Sequence, residues 1–350
     1  MRSSRKETDY MEKFICFYTS RPFWAGEQPD IEAMASNDSL FTATLSERTF
    51  CYENDQIYLA FCKDGLIMTQ IKNLESRKAE IDQKELTEKG ALHNYNFTSE
   101  YLNYLNAIQL ILSSSLLKMD RFDYFKNSNV QIGGAFSIQF DNGQFRSSGI
   151  PSDITSIYYN GRHISSYSPQ LPISSDSRII ERIAVDKRVF STCFEDFNKI
   201  INNTEAIQIL SQINGALSEY KNLNFTQAFI QVWFVIEFFI NKKWVHYLGS
   251  KHKTFSSGEE RINVARNKVL ADFKIAFISN QLELNDCITY EQFKTIDILR
   301  KKRNSIVHNI YESHISYNDC FDAFGIIIDF VKAEYDVDLL IGGSISYSTF

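Results

Sequence analysis

Two hydrophobic rhythms divide this chain. Up to about residue 190 apolar positions fall in short runs bounded by turn residues, as strands do. IYLAFC (57–62) and LIMTQI (66–71) flank Lys63-Asp64-Gly65, and AFSIQF is separated from QFRSS by Asp141-Asn142-Gly143. Both read as hairpins, and Asn160-Gly161 between ITSIYY and RHISSY reads as a third. One helix interrupts them: Thr98 is a suitable N-cap, and Tyr101, Leu102, Leu105, Ile108 and Leu112 follow at helical spacing. Tyr167–Ser177, rich in serine and holding two of the five prolines, reads as a linker.

Beyond it the rhythm becomes helical. Phe194–Tyr220 predicts one or two helices. Phe225–Tyr247 is apolar nearly all round, as a central bundle helix is. Ala265–Leu284, Tyr290–His308 and Tyr317–Tyr335 are amphipathic, with Asn309 as the stop after His308. The tail Leu339–Phe350, rich in Gly and Ser, reads as a loose strand. Modest loops between such helices imply an up-and-down bundle. The expected fold class is therefore α+β: a β-rich N-terminal domain over 1–190, sensing or regulatory in role, then an all-α bundle over 191–350.

The helix Tyr290–His308 does not follow packing logic alone. At about 100° per residue, Ile296, Leu299, Ile306, Val307 and Ile310 gather into one core-facing arc. Arg303 falls inside that arc, where a guanidinium is costly unless something pairs with it or it serves a site. Asn304 and His308 share a second face with Asp297, Arg300 and Lys301.

Composition narrows the classes. With 44% hydrophobic and 23% charged residues the chain reads as globular, long enough for two cores. The start has no apolar signal region, and the greasiest stretch, Ala228–Ile240, is too short to span a bilayer. A cytoplasmic protein with no membrane contact is expected. The six cysteines are scattered without a CxxC pair and read as free buried thiols. No metal site and no cofactor is expected, since no carboxylate cluster suits Mg²⁺ and His93, His163, His246, His252 and His314 lack partners at ligand spacing.

A net charge of −6 argues against a generally basic surface for bulk nucleic-acid binding. Two basic clusters are local exceptions. One is Arg300, Lys301, Lys302 and Arg303; the other is Lys242, Lys243, Lys251, His252 and Lys253. Each reads either as a phosphate track or as a solvated helix end or loop.

The order of parts resembles the HEPN superfamily. The resemblance covers roughly residues 190–338: an apolar helix with an internal glutamate, WFVIEFF, and then LRKKRNSIVHN, which carries the Arg-Asn-x3-His spacing of that superfamily's ribonucleases. Among its branches it looks most like the ApeA-like domains of bacterial anti-phage systems. The resemblance implies that Arg303 and His308 are catalytic, that Asn304 orients them, and that two subunits join their motifs at a two-fold axis through the C-terminal bundle. It implies metal-independent endoribonuclease chemistry on an RNA substrate, in anti-phage defence or toxin-like growth arrest. A phage-derived molecule or the product of a second gene would be its trigger.

Within that reading His308 moves protons, Arg303 stabilises charge on the phosphate, and Arg300, Lys301 and Lys302 hold RNA phosphates. Arg303 and His308, five residues apart, lie about 140° apart on a straight helix. Either the helix ends between them or a second copy completes the site. If the helix reaches His308, its dipole favours the imidazolium. Three alternatives stand beside this. Arg303 could be structural, paired with a buried Glu237 in WFVIEFF. The bundle could be a non-catalytic HEPN scaffold binding a nucleotide or a protein. The N-terminal half could sense cyclic oligonucleotides, although such sensors are Rossmann-like and this half shows hairpins.

Overall fold

In the computed structural model the chain is α+β, with an antiparallel sheet in its N-terminal region and a mostly helical C-terminal part. The described residues are 11–35, 43–45, 47–77, 88–120, 123–125, 129–141, 144–147, 181–271, 273–308, 314–342. The Asn160-Gly161 hairpin, the linker Tyr167–Ser177, Asn309 and Ile310 lie outside them.

Two compact units divide at Asn214/Gly215. In the first, six strands pair antiparallel in the order β3-β4-β5-β1-β6-β7. They are β1 (Met11–Tyr18), β3 (Arg48–Glu53), β4 (Ile57–Cys62), β5 (Leu66–Ile71), β6 (Ala135–Asp141) and β7 (Gln144–Ser147). A short parallel pair, β2 (Trp24–Ala25) with β8 (Ala184–Val185), stands apart. Two of the expected hairpins are present as β4–β5 and β6–β7. At the first, Gly65 takes φ +81°, and a Cβ there would lie 2.6 Å from the Phe23 carbonyl oxygen, so the turn requires glycine twice over. Hairpin connections and antiparallel pairing distinguish this sheet from a doubly wound one.

Period-two alternation sends Phe14, Cys16, Ala60, Cys62, Leu66 and Met68 to one face of the sheet. On the other, helices α2 (Glu88–Asp120) and α3 (Lys187–Ile200) pack; α1 is the short Ile31–Ala35. Tyr101 of α2 donates its hydroxyl to the Thr69 carbonyl and accepts from the Ile71 N–H, both at 3.1 Å. Phe190 of α3 stacks on Phe61 at 4.3 Å between centroids. The helix expected from Thr98 starts ten residues sooner, at Glu88. Glu88, Lys89, Ala91 and Leu92 are strong helix formers, and a capping preference worth about 1 kcal/mol does not stop a helix that its neighbours favour.

The division at 214/215 lies beyond the expected 190/191 because α3 belongs with the sheet. It packs on α2, as does the first half of α4 (Thr204–Lys221), whose Asn214 donates to Asn106 at 2.9 Å. Phe194–Tyr220 thus resolves into two helices, α3 and α4, broken at Ile201–Asn203.

The second unit holds α5 (Phe225–Lys251), α6 (Val264–Ala271), α7 (Ile275–Leu284), α8 (Tyr290–His308) and α9 (Tyr317–Tyr335). Helix α5 is its centre, burying Phe229, Val232, Trp233, Ile236, Phe239 and Ile240, although Phe234 is exposed. Phe239 meets Phe330 and Tyr335 of α9, and the Cys320 thiol donates to the Phe225 carbonyl, so α5 and α9 run parallel. The helix expected over Ala265–Leu284 is two. Trp244 takes the Leu270 carbonyl as its acceptor at 3.0 Å, its ring lies 6.3 Å from Phe273, and Lys274 is extended. The tail from Leu339 to Gly342 is not a strand, and residues 343–350 lie outside the described part. The six cysteines are free; Cys51 is exposed and Cys287 partly so, against the expectation of six buried thiols. Among the described residues, no helix is long and apolar enough to cross a membrane.

Candidate functional site

Helix α8 begins with a signal legible in the sequence, Thr289-x-x-Gln292. The Thr289 hydroxyl accepts from the Gln292 N–H and the Gln292 side chain accepts from the Thr289 N–H, each at 3.1 Å, which is a reciprocal cap. Two polar contacts then fix α8 antiparallel to α9. Near its start Gln292 donates to Asp329 at 3.1 Å; near its end Lys302 pairs with Asp319. Asp319 also accepts from the backbone and side chain of Ser316, closing the cap of α9.

Between those contacts Ile296 and Leu299 are buried, as is Ile306 one turn beyond Lys302. Arg303 occupies the position in the same stripe between Leu299 and Ile306, and it is half-buried. Val307, expected in the stripe, is 55% exposed: it sits at the arc's edge, about 40° round from Arg303, and in the last turn. The outward face is Glu291, Lys294, Ile298, Lys301 and Ser305.

The basic run is not a uniform track. Arg300 donates to Asp297 at 2.7 Å, and Lys301 reaches the other oxygen of the same carboxylate, also at 2.7 Å. Lys301 first and Arg300 second hold the Asp297 carboxyl below the ordinary carboxylate range. Lys302 is engaged by Asp319. Arg303 alone of the four has no carboxylate partner among the described residues; it donates only to the side chain of Asn304, at 3.4 Å. Exposed pairs such as Lys301–Asp297 contribute at most about 1 kcal/mol, so they yield to a phosphate.

Helix α8 runs unbroken through Arg303 to His308, its last residue, which leaves positions 303 and 308 about 140° apart around the axis. The His308 side chain lies outside the described part. Glu237 is half-exposed on α5 and makes no hydrogen bond or ion pair among the described residues, so the structural pairing with Arg303 is not formed. Its neighbours Ile236 and Phe239 face the core, which turns position 237 to the side.

The two carboxylates therefore differ in what their loss removes. Burial raises the Asp319 carboxyl, but hydrogen bonds from Lys302 and Ser316 outweigh it and leave the group below its ordinary value. That stability is present above the unfolded carboxylate range and is lost as pH falls through the lowered folded value. At neutral pH Asp319→Ala is expected to cost about 1–2 kcal/mol, and Glu237→Ala less than about 0.5. Urea unfolding at neutral and acid pH checks both, and the Asp319→Ala deficit should shrink in acid.

A cleft of about 340 Å³ sits at the other end of α8, lined by Lys243, Cys287, Thr289, Gln292 and Asp329 among others, and includes no residue of the Arg303–His308 hexad. No protein-family model matches the chain, and neither a curated protein nor a solved structure resembles it at a significant level.

Proposed function

We propose that the C-terminal unit is a ribonuclease acting through Arg303, Asn304 and His308, in a dimer whose two hexads share one cleft. The observation that carries this reading is Arg303: a half-buried arginine in an apolar stripe, held by no carboxylate among the described residues, beside three cations that all are. A planar fork of donors kept from internal carboxylates suits a phosphate. Asn304, accepting from it at 3.4 Å, restrains its orientation.

The chemistry follows from the residue types. The ribose 2′-oxygen attacks phosphorus as its proton passes to an imidazole. The bond to the 5′-oxygen breaks, and that oxygen receives a proton from the second imidazole of the shared cleft, that of the other copy's hexad. Arg303 stabilises the charge that builds on the non-bridging oxygens. The attacking group exists only in RNA, so DNA is not cleaved, and the first product carries a 2′,3′-cyclic phosphate. Two imidazoles, one from each copy's hexad, and a guanidinium suffice for these steps, in keeping with the HEPN resemblance.

Purified protein incubated with total RNA tests this. Cleavage is expected to persist in EDTA and to leave 2′,3′-cyclic phosphate or 3′-phosphate ends. Strict dependence on Mg²⁺ or Mn²⁺, or 5′-phosphate products, would sink the mechanism. Intact RNA with a bound nucleotide or protein would favour the non-catalytic scaffold.

A further inference from the structure

The segment that follows α5 is unlike the rest of the second unit. From Lys251 to Val269 every residue is exposed except Ile262, which is half-buried. It is nevertheless ordered by its own hydrogen bonds. Thr254 bridges Glu260; Gly258, at φ +82°, donates to the Phe255 carbonyl, and the Arg261 N–H to that of Lys253. Asn263 caps α6 by accepting from the Arg266 N–H at 2.9 Å, and Trp244 anchors the far end at Leu270. An ordered arm is thus held out on the bundle without being buried by it.

Its charge is also unlike the chain's. Lys251, Lys253, Arg261, Arg266 and Lys268 face only Glu259 and Glu260, in a chain of net charge −6. Among the described residues, none of these five cations makes an ion pair. The arginines instead brace the arm through carbonyls, Arg261 to Lys251 at 3.4 Å and Arg266 to Arg261 at 3.0 Å. Each arginine has five N–H donors, so bracing leaves others unused. Two lysines lie against aromatic rings: Lys253 is 5.9 Å from the centroid of the exposed Phe255, and Lys251 is 5.1 Å from that of the half-buried Tyr247, which also stacks on Trp244.

We infer that this arm binds the phosphate backbone of a single-stranded nucleic acid. Cations without carboxylate partners among the described residues supply the electrostatic attraction, and the exposed Phe255 ring beside them offers a stacking surface to an unpaired base. A membrane surface fits less well. Beyond Phe255, the arm's exposed large apolar side chains are Val264 and Val269, with no leucine or tryptophan to enter a bilayer.

Position then assigns the role. Phe225, at the start of α5, meets Cys320 beside the Lys302–Asp319 pair, whereas Tyr247, near its end, bonds Asn285. At 1.5 Å per residue, the 27 residues of α5 span about 40 Å. The arm and Arg303 therefore lie at opposite ends of the bundle. The arm holds the strand and takes no part in chemistry, and its binding does not require that the hexad cut.

The test uses the full chain carrying His308→Ala, so that RNA survives, and a labelled single-stranded RNA read by fluorescence anisotropy across a salt series. Adding Lys251→Gln, Lys253→Gln and Lys268→Gln is expected to weaken binding by roughly tenfold to a hundredfold near 0.1 M salt. It should also make the slope of log K against log salt shallower by about 2, while arginine at the same three positions retains both. A single-stranded DNA of the same sequence should bind comparably. Unchanged affinity and slope in the glutamine variant would overturn the assignment. So would binding to phosphatidylserine vesicles without binding to RNA. In a chain with His308 restored, the three substitutions should raise KM and leave kcat in place. Absent cleavage with intact salt-dependent binding would count against the ribonuclease and not against the arm.

Discussion

Arg303→Ala and His308→Ala are each expected to reduce RNA cleavage by roughly a hundredfold to ten-thousandfold, while Arg303→Ala is expected to leave the unfolding midpoint nearly unchanged. Removing a positioned acid–base group or a donor to the developing oxyanion costs about 10²–10⁴ in rate. The stability half of the expectation is the discriminating one. An arginine buried to pair with a carboxylate destabilises by about 3–5 kcal/mol when the pair is broken. Arg303 has no such partner among the described residues, and alanine is the better helix former at a half-buried position. Arg303→Lys keeps the charge but not the planar fork, and activity between the two extremes is expected. Gel assays of cleavage and thermal unfolding on the same preparations check this. Full cleavage by purified His308→Ala protein would end the catalytic assignment. A large loss of stability in Arg303→Ala with modest loss of rate would make the arginine structural.

What the sequence revealed of this fold depended on how local each signal was. Helix α8 was legible to the residue, Tyr290–His308, because its stripe has a strict period and its neighbours are loops. The turn at Gly65 was legible because a hairpin dictates its residues over a span of three. The start of α2 was not, since Thr98 offers a cap that the chain does not use. Nor was the break between α6 and α7, which depends on a hydrogen bond from Trp244, a residue of another helix. Among the site residues, the position of Arg303 in the stripe could be read from periodicity. That Arg300, Lys301 and Lys302 are engaged by Asp297 and Asp319 could be read only in part. Asp297 stands at helical spacing from Arg300 and Lys301, but Asp319 lies on α9. Glu237 was misjudged because an apolar neighbourhood in sequence is not burial. Position 237 lies on the flank of a helix that buries Ile236 and Phe239 and leaves Phe234 exposed. Of the basic arm only Lys251, His252 and Lys253 were visible, as charge, while its exposure and its lack of carboxylate partners among the described residues are properties of the fold.

Mixing wild-type and His308→Ala subunits in equal amounts, with exchange allowed to reach equilibrium, should leave about a quarter of the wild-type activity and not a half. The reason is the unbroken course of α8 through both ends of the hexad. Positions 303 and 308 diverge by about 140°, so one helix presents them to different sides. Transesterification also asks for a base on one side of phosphorus and an acid on the other, and one hexad supplies a single imidazole. A two-fold mate supplies the second without another residue type, because an isologous contact brings identical positions together at the axis. The hexad's end of the bundle has apolar surface to make such a contact. Val307 is 55% exposed one residue before His308, and Tyr317 and Phe321, one turn apart on α9, flank Asp319 at 47% and 51%. If both imidazoles serve one cleft, a dimer with one alanine has lost either its base or its acid, and only dimers of two wild-type chains cut. Random pairing makes those about one in four. Phe321→Asp, which sets two like charges across such an axis, should weaken dimerisation and activity together, as sedimentation and cleavage on one sample would show. Half-maximal activity in the mixed sample would mean that each chain cuts alone. A monomeric Phe321→Asp protein of undiminished specific activity would refute the shared cleft outright.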